Sequence, residues 1–75
     1  MNKPADRHHQ FNITIAGPLD DRWQPWFEGL TITPTADGNT LLSGPLRDQA
    51  ELYGVLKRIN NLGFTLVSVE RRPPG

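Results

Sequence analysis

The stretch TIAGPLDDRW at residues 14–23 returns in altered form as LLSGPLRDQA at residues 41–50. Each copy leaves an apolar run, turns on Gly-Pro-Leu, passes a charged residue and then Asp, and enters a segment that ends on glycine. Those two ends are FEGLTI at 27–32 and NNLGFTLV at 60–67. Gly and Pro are common turn residues, so a matching turn alone is weak. A match at both ends of two successive helical segments is a stronger sign of duplication.

Working outward, Phe11, Ile13 and Ile15 alternate with Asn12 and Thr14, the period of a half-buried strand. A short helix is predicted from Asp20 or Asp21 to Glu28, stopped by Gly29. Leu30 and Ile32 alternate with Thr31 and Thr33 as a second strand. Asp37-Gly38 is a two-residue hairpin signal, and a third strand runs from Leu41 to Gly44-Pro45. The clearest element follows: Leu52, Val55, Leu56, Ile59 and Leu62 form one apolar helix face. Asp48 is its expected N-cap, with Glu51 reaching back to it, and Gly63 its left-handed stop. The β-branched run FTLVSVE closes the pattern. The order predicts a ferredoxin-like α+β domain, βαββαβ, with a four-stranded antiparallel sheet and two helices on one face. Strands one and three are then central, and Pro34 falls on an edge strand, where a missing donor is tolerated. The domain is expected over residues 10–72, with a disordered tail at 1–9 and a C-terminal tail at 73–75.

Trp23, Trp26 and Phe27 stand at i, i+3 and i+4, with Leu30 at i+7. A two-turn helix covers its half of a sheet only with large side chains, each able to bury about 150–250 Å². The stripe is therefore expected in the core, with Trp23 the member open to partial exposure. Pro25 removes one early backbone bond.

Composition excludes several functions. The 75 residues allow one domain, and eight basic side chains balance eight acidic ones. A nucleic-acid binder usually carries a basic excess, and the third strand, NTLLSG, lacks the basic and aromatic residues of an RNA-reading sheet. No apolar run approaches the roughly 20 residues that span a bilayer. Cysteine is absent, which removes disulfides, thiolate metal sites and thiol nucleophiles. With no secretory signal at the N-terminus, a cytoplasmic location is expected. His8 and His9 are read as tail residues without further ligands, and Tyr53 as packing at the core edge. No nucleophile elbow or P-loop pattern occurs.

One ligand site can be drawn from the repeat. If the two Gly-Pro-Leu turns emerge from parallel central strands at one end of the sheet, two helix N-termini converge there and favour an anion. Its residues would be Gly17, Asp20, Arg22, Gly44, Arg47 and Asp48. The competing reading makes those aspartates ordinary caps.

The segments RWQPWFEGLTI and GNTLLSGPLRDQAELYGVLKRINNLGFTLVSV together resemble a widespread group of small uncharacterised prokaryotic proteins. The resemblance rests on Trp23, Trp26, Phe27, Gly29, Leu30, Gly38, Thr40, Leu42, Gly44, Asp48, Gln49, Ala50, Leu52, Gly54, Leu66, Ser68 and Val69. It implies a compact domain and no particular chemistry. Where the group often carries His before Gly54, this chain has Tyr53, which argues against a general base there.

The resulting expectation is a small non-enzymatic interaction or regulatory module without metal or cofactor, self-associating as a homodimer, with an unidentified protein partner and neither nucleic acid nor membrane. The alternative is an anion or nucleotide sensor using the paired turns. The open sheet face is expected to carry Asn12, Thr14, Thr31, Thr33, Leu66 and Ser68. Strand four, through Thr65, Leu66, Val67, Ser68 and Val69, is the expected pairing edge, since proline blunts strand two.

Overall fold

A computed structural model describes residues 9–72. The expected tails over residues 1–8 and 73–75 lie outside the described residues. His9, counted with the tail in the sequence, is already in the sheet, paired with Leu46.

The elements are β1 (His9–Ile15), a 3₁₀ run (Asp21–Phe27), β2 (Thr31–Pro34), β3 (Thr40–Leu46), α1 (Gln49–Asn61) and β4 (Leu66–Arg72). They build an α+β domain around one open sheet in the order β2-β3-β1-β4, antiparallel throughout. β1 and β3 are central, and Pro34 lies on an edge. Among the described residues there is one α-helix where two were expected. The first helical segment is a seven-residue 3₁₀ run with Pro25 inside it. Proline has no N–H to donate, and the flanking bonds already follow the tighter pitch: Trp23 N–H donates to the Asp20 carbonyl at 3.1 Å and Leu30 N–H to that of Phe27 at 3.0 Å. Asp20 does not cap the run; its carboxylate accepts from Arg22 instead. The Gln24 side-chain amide donates to the Leu30 carbonyl at 2.7 Å, fastening the end of the run to the start of β2.

The core lies on one face of the sheet. Phe11, Ile13, Ile15, Leu42 and Leu46 point into it from the central strands, and Phe27, Leu30 and Ile59 close it from above. Gly44 sits inside β3, opposite Phe11, rather than in a turn. It is the point where the layer above touches the sheet. A Cβ at this position would lie 2.5 Å from the Gly29 carbonyl oxygen and 3.0 Å from a Leu30 methyl. The absence of that atom lets the Gly29–Leu30 backbone rest on the strand.

The caps of α1 mostly follow the sequence. The Asp48 carboxylate accepts from Glu51 N–H at 3.0 Å, while the Glu51 carboxylate reaches past Asp48 to Arg47 N–H at 2.6 Å. At the other end Phe64 N–H donates to the Ile59 carbonyl and Gly63 N–H to that of Asn60, both at 3.1 Å, with Gly63 at φ +87. These are the paired bonds of a Schellman stop. Tyr53, expected at the core edge, is 61% exposed.

Two local details depart from the sequence reading. The β2–β3 connection is longer than the two-residue turn expected from Asp37-Gly38. Thr35 N–H donates to the Asn39 carbonyl and Gly38 N–H to that of Thr35, so Ala36, Asp37 and Gly38 form a three-residue loop with Gly38 at φ +88. The second is a register shift between β1 and β4 at Thr14/Ile15. Ser68 lies opposite Thr14 on the open face, as expected, but Leu66 lies opposite Ile15, on the core side. A bulge adds one residue and so reverses the alternation beyond it.

Two outcomes follow. Gly44→Ala should destabilise the domain by about 1–3 kcal/mol, because the obstructing atom is backbone; urea unfolding measures it. The second concerns Asp37, whose pKa is held below its ordinary value chiefly by the Thr35 hydroxyl and then by backbone N–H groups. A depressed carboxyl pKa supports the loop above the unfolded-state value and loses that support as pH falls through the folded one. An NMR titration of Asp37 should show Thr35→Ala moving its midpoint up towards the ordinary carboxylate range.

Candidate functional site

The structure does not bring the two Gly-Pro-Leu segments of the repeat together. The central strands run antiparallel, so the two Gly-Pro-Leu segments lie towards opposite ends of the sheet. Ile15 pairs with Thr40 whereas Gly44 pairs with Phe11, a separation of about 14 Å along the strands. The groups meant to bind are also occupied locally. Gly17 N–H donates to the Asn39 side-chain oxygen at 3.2 Å, and its carbonyl accepts from the buried Thr40 hydroxyl at 2.8 Å. Arg22 pairs with Asp20 at 3.1 Å and Arg47 with Glu51 at 3.7 Å. Asp48 is a cap. These six residues lie in two separate places.

β4 is the strand that carries the residues expected to pair. It is an edge strand whose seven residues are all exposed. Leu66, Val67 and Val69 are among the large apolar side chains most open to solvent, Val67 at 52%. Thr65, just before the strand, is tied inward through its carbonyl to Ala16 N–H at 2.8 Å.

A second surface emerges that the sequence reading missed. Phe27 is buried to 1% exposure, Trp23 is half-buried, and Trp26 is 45% exposed. The aromatic stripe therefore divides, and its outward member is Trp26 rather than Trp23. In a 3₁₀ run residues three apart eclipse. The two indoles accordingly meet edge to face at 5.3 Å, and Trp23 turns its other side to Phe64 at 5.4 Å. Arg58 Nη1 donates to the Trp26 carbonyl at 2.5 Å, clamping the run to α1. Two open depressions adjoin this clamp. One, of about 440 Å³, is lined by Pro25, Trp26, Glu28 and Arg58. The other, of about 450 Å³, is lined by Trp26, Gly54, Lys57, Arg58, Asn61 and Leu62.

Gly54 had a detectable signal: it interrupts the chain's best helical pattern. It lies off the apolar face, and in the sequence reading it stands out only through the resemblance. A Cβ there would meet nothing within 4 Å, so internal packing does not require glycine. Among the described residues no group of three or more His, Cys, Asp or Glu is gathered to hold a metal, and no helix is long and apolar enough to cross a membrane. Gly54→Ala should stabilise the domain by about 0.5–1 kcal/mol, the usual cost of glycine inside a helix, read as a raised thermal midpoint.

No curated protein and no solved structure is found to match the chain. A family model described as a domain of unknown function, DUF8691, matches residues 10–70. That span takes in every strand, the 3₁₀ run with its aromatic stripe and the whole of α1, and the chain belongs to the DUF8691 family.

Proposed function

We propose that this domain is a small non-enzymatic interaction module that self-associates as a homodimer through β4. We read its architecture as a ferredoxin-like plan in which the first helix has shrunk to a 3₁₀ run, a reading supported by the strand order. The observation that carries the function is the β4 edge. It presents unpaired backbone groups beside exposed Leu66, Val67 and Val69, and such an edge is a template for another strand. At the opposite edge Pro34 blunts β2.

Charge narrows the register. A twofold axis perpendicular to the sheet pairs β4 antiparallel with its copy. Centred on Glu70, Arg71 or Arg72, the axis sets like charges directly opposite, which is destabilising. Centred on Ser68, it sets Val67 against the partner subunit's Val69 and serine against serine. The sheet then continues through an isologous contact.

Sedimentation equilibrium at micromolar concentration tests this. The wild type should sediment as a dimer. Ser68→Lys, which places two ammonium groups face to face, should sediment as a monomer with an unchanged circular dichroism spectrum. A monomer mass for the wild type rejects the dimer. A dimer that tolerates Ser68→Lys but not Val69→Lys rejects the Ser68-centred register.

A further inference from the structure

We infer that the shelf formed by Trp26, Gly54, Lys57 and Arg58 docks an acidic peptide segment of a partner protein, with an apolar side chain on the Trp26 indole and a carboxylate on Lys57 and Arg58. The surface is separate from the β4 edge, and the inference does not depend on self-association.

The shelf is built before any ligand arrives. The Trp26 indole rests edge to face against Trp23, its backbone is tied to α1 by the Arg58 bond to its carbonyl, and 45% of the residue faces solvent. An aromatic side chain with little freedom left loses little entropy on binding. Gly54 supplies the second observation. It lies within α1, where glycine weakens a helix, and nothing in the fold occupies the place of its missing Cβ. Glycine serves where a backbone must be approached closely. Since no internal group makes that approach, the shelf leaves room for one from outside.

Charge and shape choose the occupant. Lys57 and Arg58 are exposed, and among the described residues neither forms an ion pair with a carboxylate. Among the described residues, the depression they share with Trp26 and Gly54 is lined by no carboxylate, whereas Glu28 lines the one on the far side of Arg58, so the Lys57 side is the one that attracts an anion. The depressions on the two sides of Arg58 are open, whereas a small-molecule site buries most of its ligand. An extended segment lying along the seam meets indole, backbone and cations in turn. Single-stranded nucleic acid calls for a continuous basic track with several stacking rings. Here there is one exposed indole, and Glu28 and Glu51 line the neighbouring hollow with Arg58.

The test is an NMR titration of the full ¹⁵N-labelled chain with a blocked synthetic peptide, Glu-Leu-Glu-Glu-Leu-Glu. Saturable shifts should concentrate at the Trp26 indole N–H and the amides of Gly54, Lys57 and Arg58. Lys57→Glu should weaken binding roughly tenfold, equivalent to about 1.4 kcal/mol. Gly54→Ala should also weaken it, although that variant has the stronger helix and cannot fail for want of folding. Ser68→Lys should bind like the wild type. The inference is overturned if the peptide produces no saturable shifts at the shelf, if its Lys-for-Glu counterpart binds as well, or if Gly54→Ala binds undiminished. Displacement of the peptide by oligouridylate at lower concentration would also overturn it, in favour of a nucleic-acid site.

Discussion

The structure turns on one close approach, the Gly29–Leu30 backbone lying on Gly44 of β3. A sheet this small needs a lid, and the chain between β1 and β2 is too short and too interrupted by Pro25 to supply a second long helix. It descends onto the strand itself instead. That contact seats Leu30 and Phe27 in the core over Phe11 and Leu42, and Gln24 and Arg58 then hold the run from its two sides. Phe27 points down, the tight pitch stacks Trp26 beside Trp23, and Phe64 packs against Trp23 while Trp26 stays open. The exposed indole is thus a consequence of how the lid is made.

Much of the fold was legible because it rests on local rules. The alternation of Phe11, Ile13 and Ile15 is a strand read by its period, and α1 declares itself by its apolar spacing and its Asp48 and Gly63 ends. Pro34 correctly marked an edge. What was not legible depends on contacts distant in sequence. A bulge at Thr14/Ile15 moves Leu66 across the sheet, and no property of LVSV announces it. The three-residue loop at Ala36–Gly38 depends on Thr35 and Asn39 meeting across the hairpin.

The candidate site was less legible, and the repeat itself misled. Similar strings take different places: Gly17 follows β1 and is bonded to the β2–β3 hairpin, whereas Gly44 lies inside β3 under a backbone. An ion-binding reading treated them as equivalent and needed parallel strands. Antiparallel pairing separates them, and the nearby arginines turn to Asp20 and Glu51. Conversely, the shelf at Trp26 and Gly54 joins residues from two elements, and it becomes visible only when the elements are packed.

The strand order has a kinetic consequence. β1 comes first in the chain and stands in the middle of the sheet, flanked by β3 and β4. Neither neighbour is its neighbour in sequence. During synthesis, which runs from the N-terminus at about 5–20 residues per second, β1 emerges with both edges bare and its Phe11, Ile13 and Ile15 uncovered. The β2–β3 hairpin and α1 can close on local contacts, but β1 gains its second edge only when β4 arrives with Arg72. Contacts of such long range dominate the search and slow it. The strand made first is completed last, and it passes that interval with an edge still open.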